Sequence, residues 1–164
     1  MIAAGFVLLA VIILAVYFIN TPKQTVSYKK SMLTDNISSF ETAAKTAMAL
    51  YEDGNEDGVW LFTVDTDANN LACYNGYEHL LYPLTEEQKK AFVTVKSVFR
   101  LDHLGFECLY VNENFATFGI ANGRASFIYS KSNQKPDFVN LAEITDKNRV
   151  YVEKITDNWF YACK

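Results

Sequence analysis

The chain is poor in the residues that build metal and redox sites. It has three cysteines and two histidines in 164 residues. Cys73, Cys108 and Cys163 stand far apart without paired spacing, and zinc sites take their ligands in close pairs. His79 and His103 add no such pair. The odd cysteine count suits one disulfide and a spare thiol outside the cytosol, or three buried thiols inside it. Also missing is any basic run. The net charge is −4, and every charged side chain follows Asn20. Nucleic acid is therefore not an expected partner. The chain holds no G-x-S-x-G, no phosphate-binding glycine loop and no H-E-x-x-H. An enzyme here would have to use dispersed residues such as Cys108, His103 or Tyr110. No catalytic set, cofactor or metal site is expected.

What is present begins at the amino terminus. Met1 to Asn20 reads MIAAGFVLLAVIILAVYFIN, uncharged from Ile2 to Ile19. At helical rise that run covers roughly 27 Å, close to the hydrocarbon thickness of a bilayer. Tyr17 falls where an amphipathic ring prefers the headgroup layer, and Pro22 stops a helix just beyond. A cleaved signal peptide would carry a positive start and a small-x-small site, whereas bulky Val16, Tyr17, Phe18 and Ile19 precede Asn20. Residues 1–20 are expected to be an uncleaved single-pass transmembrane anchor, with 21–27 a polar connector. Orientation is contested within the sequence. Lys23, Lys29 and Lys30 follow the span, which by the positive-inside rule points the domain to the cytoplasm. The aromatic, Asn- and Thr-rich body and the usual arrangement behind an N-terminal anchor point to an extracytoplasmic domain, which is the expectation adopted.

Residues 28–164 suit one soluble domain, since half of the chain is hydrophobic and 15% aromatic. From Tyr28 to Tyr51 the apolar positions Leu33, Ile37, Phe40, Ala44, Ala47 and Tyr51 step by four and three, predicting one helix with a single buried face. The same stepping suits a short coiled-coil seam, but Ala43, Ala44, Ala47 and Ala49 favour close packing on a sheet. Glu52 to Gly58 reads as the loop that ends this helix. Strands are predicted over Val59–Val64, Leu71–Tyr74 and Glu78–Tyr82, the last two flanking Asn75-Gly76. Thr85 with Gln88 forms a capping box that opens a second helix to about Asp102. Strands then follow over Phe106–Val111, Phe115–Ala121 and Arg124–Ser130, with Asn122-Gly123 the strongest hairpin signal. Lys131 to Pro136 reads as a surface loop, and Asn148–Ile155 with Trp159–Cys163 as a final hairpin.

Three constellations carry candidate chemistry. Asp53-Gly54-Asn55-Glu56-Asp57-Gly58 matches the first half of an EF-hand calcium loop, with Asp53, Asn55 and Asp57 at alternate positions. Val64 stands where the bidentate glutamate belongs, so an acidic turn explains the run as well. Asp65 to Asn70 is a weaker version that a polar turn explains. Finally, Trp159-Phe160-Tyr161 places rings on both faces of one strand, with Tyr151 beside them. An uncovered face would offer an aromatic surface to a protein, peptide or glycan; two packed layers would bury the rings instead.

The element order, without strand-helix alternation, predicts an α+β fold: an N-terminal transmembrane helix, then an antiparallel sheet with two helices packed on it. The order is similar to that of cystatin-like and nuclear-transport-factor-like folds, which curl a sheet around helices, though fold does not fix function. The expected function is a membrane-anchored, non-catalytic binding or assembly module with a protein or peptide partner. The alternatives are a small-ligand binder or enzyme with a cavity between sheet and helices, and a pilin-like structural subunit. For the last, the chain lacks the glutamate-bearing opening of type IV pilins.

Overall fold

The computed structural model describes residues 30–54, 60–64, 69–75, 78–101, 106–120, 125–136 and 151–163. The expected anchor over residues 2–19 and the connector 21–27 lie outside them. Among the described residues no helix is long and apolar enough to cross a membrane. The chain divides into two compact units, Met1–Asp35 and Asn36–Lys164. In the first, residues 30–34 are helical. The Asp35 N–H donates to the Ser31 carbonyl at 2.9 Å, closing that segment.

The single helix predicted over Tyr28–Tyr51 is interrupted at Asp35-Asn36. Both residue types compete with helical hydrogen bonding and favour helix ends. Asn36 opens the next helix, its carbonyl accepting from the N–H groups of Ser39 at 3.0 Å and Phe40 at 3.2 Å. That helix, α1, spans Ile37–Gly54, so Glu52 and Asp53 extend it instead of forming a loop. Its buried residues Phe40, Ala43, Ala44, Ala47, Met48 and Tyr51 recur at three- and four-residue steps. The three alanines have no side chain beyond Cβ, which lets the backbone approach its neighbours.

The second helix, α2, spans Glu86–Leu101. Its capping box forms as the sequence predicts. The Thr85 N–H donates to Gln88 Oε1 at 2.8 Å, and the Gln88 N–H donates to Thr85 Oγ1 at 3.3 Å. Phe92, Val95 and Phe99 are buried along one side.

Among the described residues eight strands follow the predicted pattern: β1 Trp60–Val64, β2 Asn70–Asn75, β3 Glu78–Pro83, β4 Phe106–Val111, β5 Phe115–Ile120, β6 Ala125–Ser130, β7 Tyr151–Thr156 and β8 Trp159–Cys163. They form one sheet in the order β3-β2-β1-β4-β5-β6-β8-β7, with every neighbouring pair antiparallel. The fold is α+β. The sheet grows both ways from the β1–β4 seam. The strings α1-β1-β2-β3 and α2-β4-β5-β6 are the same supersecondary unit, joined through their first strands. The sequence shows no repeat, yet the topology repeats.

Register assigns the faces. Phe62 pairs with Leu109, Leu109 with Phe118, Phe118 with Phe127, and Phe127 with Tyr161, so these five share one face. The helices pack there. Phe40 of α1 meets Phe118, Phe127 and Trp159 at centroid distances of 5.3, 5.8 and 5.9 Å, and Phe99 of α2 at 5.6 Å. These contacts are edge-on, the arrangement that aromatic quadrupoles prefer, worth about 0.5–1.5 kcal/mol per pair beyond the area buried.

The β7–β8 hairpin is held by two asparagines with positive φ, Asn158 at 64° and Asn133 at 59°. Asparagine tolerates this left-handed region better than other non-glycine residues. Asn158 Nδ2 donates to the Ser130 carbonyl at 2.6 Å, and its backbone N–H donates to Asn133 Oδ1 at 2.9 Å. The turn between β7 and β8 is thereby fastened to the turn leaving β6.

Candidate functional site

Among the described residues, those singled out for chemistry do not converge. Asp53 and Gly54 end α1 in solvent, while Asn55 to Gly58, the rest of the calcium-like run, lie outside the described residues. So do Asp65 to Ala68, Asp102 and His103. His79 falls on β3 and Cys108 on β4. The register of β4 against β5 shifts between Phe106 and Leu109. Simple alternation therefore does not carry through Cys108, a bulge that sequence periodicity does not reveal. Among the described residues, no three His, Cys, Asp or Glu side chains gather as a metal site would require.

Strand order argues against a disulfide between any two of the cysteines within one chain. Cys73 lies on β2, Cys108 on β4 and Cys163 on β8. No two of these strands are adjacent. Next-but-one strands stand about 9.6 Å apart, beyond the about 7 Å Cα separation that a disulfide tolerates. Neither Cys73, which is buried, nor Cys163 is in a disulfide.

The aromatic triplet is also resolved. Trp159, Phe160 and Tyr161 are all buried, and the exposed ring of the hairpin is Tyr151 on β7. The space between sheet and α1 is filled by Phe40, Phe118, Phe127 and Trp159. Burial pushes the Tyr161 phenol well above its ordinary range, and the Cys163 thiol adds to this by charge and by a hydrogen bond. Two buried polar atoms, Trp159 Nε1 and Ser130 Oγ, have no hydrogen-bond partner among the described residues.

The feature that sequence reasoning missed is an edge. Among the described residues β3 has a strand neighbour on one side only, and it pairs with β2 from Asn70↔Pro83 to Asn75↔Glu78 without a register shift. Pro83 has no N–H to give, so an unbroken ladder tolerates it only with its nitrogen turned outward. By alternation, the backbone groups of Leu81 and His79 also point outward. The strand carries Leu81, 57% exposed, and Leu80, 36% exposed. Its start in Glu78 is the only charge it contains. The Leu84 N–H donates to the Asn69 carbonyl at 3.1 Å, continuing the clamp beyond the strand into the cap of α2.

The opposite edge, β7, is finished with charge and irregularity. Its register shifts between Lys154 and Thr156. Lys154 Nζ pairs with Asp157 Oδ1 at 3.1 Å, and Tyr151 donates its hydroxyl to Glu153 Oε2 at 3.0 Å. A bulge and a lysine are the devices by which sheets refuse further strands. β3 has neither.

No family model matches the chain, and no curated protein or solved structure matches it.

Proposed function

We propose that the chain is a non-catalytic assembly module, held at a membrane by residues 2–19, that accepts an extended protein strand along β3. The strand comes from a second copy of the chain or from another protein. The observation that carries this reading is the unguarded β3 edge, with outward backbone groups at Leu81 and exposed Leu80 and Leu81. Main-chain hydrogen bonds along such an edge supply affinity, and alternate side chains supply specificity. The uncharged run from Ile2 to Ile19 supports the membrane attachment, and the domain is taken to lie outside the cytoplasm.

The ring-filled space between α1 and the sheet favours this reading over a small-ligand site. The test is site-specific photo-crosslinking in intact membranes, comparing a benzophenone residue at Leu81 with one at Lys154 on the other edge. Adducts at Leu81 are expected to exceed those at Lys154 at least several-fold, and Leu80→Lys should abolish them while leaving the fold intact. Equal adducts at the two edges, or none at Leu81, would sink the proposal. Protease shaving of intact cells, with a tag after Lys164, tests the side of the membrane independently.

A further inference from the structure

The repeated halves match residue by residue. In the first, Phe62 pairs with Cys73 and Cys73 with Leu80; in the second, Leu109 pairs with Phe118 and Phe118 with Phe127. Aligning these two rows lays β2 on β5 and β3 on β6 end for end, with Glu78 on Ala125 and Pro83 on Ser130. Leu80 then corresponds to Phe127, and Leu81 to Ile128. The backbones agree as well. The Ser130 N–H donates to the Asn158 carbonyl at 2.7 Å, so Ser130, Ile128 and Ser126 turn their backbone groups towards β8. Their counterparts Pro83, Leu81 and His79 are the residues whose backbone groups point away from β2.

The halves differ at the next strand. β6 is followed by β8, which sets Tyr161, Phe160 and Trp159 opposite Phe127, Ile128 and Tyr129. With that strand in place Phe127 is 0% and Ile128 4% exposed, against 36% for Leu80 and 57% for Leu81. Among the described residues, β3 is thus the edge of β6 without its β8. The strand that would complete it is antiparallel and apolar on both faces. β8 cannot serve twice, since β6 and β7 flank it. β7 is charged and irregular. β3 itself meets the description. Leu80 and Leu81 are exposed on opposite faces, and two copies of one strand beside a two-fold axis are antiparallel by symmetry.

We infer that the strand accepted at β3 is β3 of a second copy, so that two chains join into one continuous sheet. This rests on the reading of β3 as an accepting edge and names its occupant. Backbone register places the axis. With the axis at Leu80, Leu81 of each chain lies opposite His79 of the other, and these two pairs exchange four main-chain hydrogen bonds. An axis at Leu81 sets His79 opposite Pro83 instead, where each side loses a bond for want of an N–H. The axis at Leu80 also puts the two Glu78 positions opposite Tyr82 at far ends of the paired strands, so like charges do not meet. With six residues on each side the contact is small, and the dimer is weak and concentration-dependent.

The experiment therefore traps it covalently, using the full chain in membranes with two differently tagged copies expressed together. Leu80→Cys and Leu81→Cys are oxidised briefly with diamide, and the unsubstituted chain gives the background from Cys73, Cys108 and Cys163. Across the axis the two Leu80 Cα atoms stand about 4.5 Å apart, within disulfide reach, and the two Leu81 Cα atoms about 8 Å apart, beyond it. A disulfide joining the two tags is expected at least fivefold more from Leu80→Cys than from Leu81→Cys. Adding Leu81→Pro, which an outward-facing edge position tolerates, should lower the Leu80→Cys product at least fivefold. Equal trapping at the two positions overturns the inference, and so does trapping that Leu81→Pro leaves unchanged. A benzophenone at Leu81 separates this from the reading beneath it. Adducts with another protein and none between the tags overturn the second copy and leave the accepting edge standing, whereas no adducts between molecules remove both.

Discussion

The two edges of this sheet belong to the same antiparallel ladder and are finished in opposite ways. At the β7 side, the last strands are fastened by Asn158 and Asn133, broken in register at Lys154, and charged. Inward of them lies a cluster of buried rings, where Trp159 meets Tyr129 at 5.3 Å, Phe118 at 5.9 Å and Phe40 at 5.9 Å. At the β3 side, the ladder is regular to its end and the side chains are thin: Ala72 and Cys73 on β2, then Leu80 and Leu81 facing water. One wing carries the stability and closes itself to further strands. The other contributes less to the core and is left open. A single sheet can thus separate folding from recognition by position.

The sharpest way to break that comparison is to weaken the packed wing. Phe40→Ala removes the ring that touches Phe99, Phe118, Phe127 and Trp159, and should cost about 3–5 kcal/mol in urea unfolding. Leu81→Ala should stay within about 0.5 kcal/mol. A Leu81→Ala cost near that of Phe40→Ala would show that the open edge is part of the core. Next in size is the fastening of the closed edge. Asn158→Ala loses both a tolerated positive φ and the bond to the Ser130 carbonyl, for about 2 kcal/mol in the same assay. Asn158→Gly keeps the backbone freedom and should lose only about 1 kcal/mol, and equal losses would contradict a backbone contribution. The smallest effect is confined to alkaline solution. The folded state holds the Tyr161 proton more tightly than the unfolded chain does. The stabilisation linked to this is present below the ordinary tyrosine pKa of about 10 and falls away as pH rises beyond it. Tyr161→Phe should flatten that alkaline decline of the melting temperature, and an unchanged slope would remove Tyr161 as its cause.

Most element positions were legible because their signals are local. Thr85 and Gln88 announce α2 through a bond pattern that needs no tertiary partner. The hairpins fall where the sequence puts Asn-Glu-Asn and Thr-Asp-Asn; Asn112 Oδ1 accepts from the N–H groups of Asn114 and Phe115 at 3.0 and 2.8 Å. The break at Asp35-Asn36 was hidden because the apolar stepping runs through it unchanged. The register shift of β4 between Phe106 and Leu109 was hidden because period two carries no trace of an inserted residue. The triplet Trp159-Phe160-Tyr161 told of rings on both faces but not of what lies over each. The edge was the least legible of all. Leu80 and Leu81 read like any short buried strand, and only the order of the sheet shows that no described strand is paired beyond them on that side. The expected anchor over residues 2–19 lies outside the described residues, so its reading still rests on length and hydropathy.

The seam between the repeated halves has a kinetic consequence. Trp60 of β1 faces Val111 of β4 in register, and two strands, β2 and β3, plus the whole of α2 lie between β1 and β4. The hairpins on either side close short loops, but this pair closes a long one, whose ordering must precede its reward. The middle of the sheet, although flanked on both sides in the finished molecule, is therefore the last part that can nucleate. A ribosome that has released only the first half has a seam strand waiting for its mate.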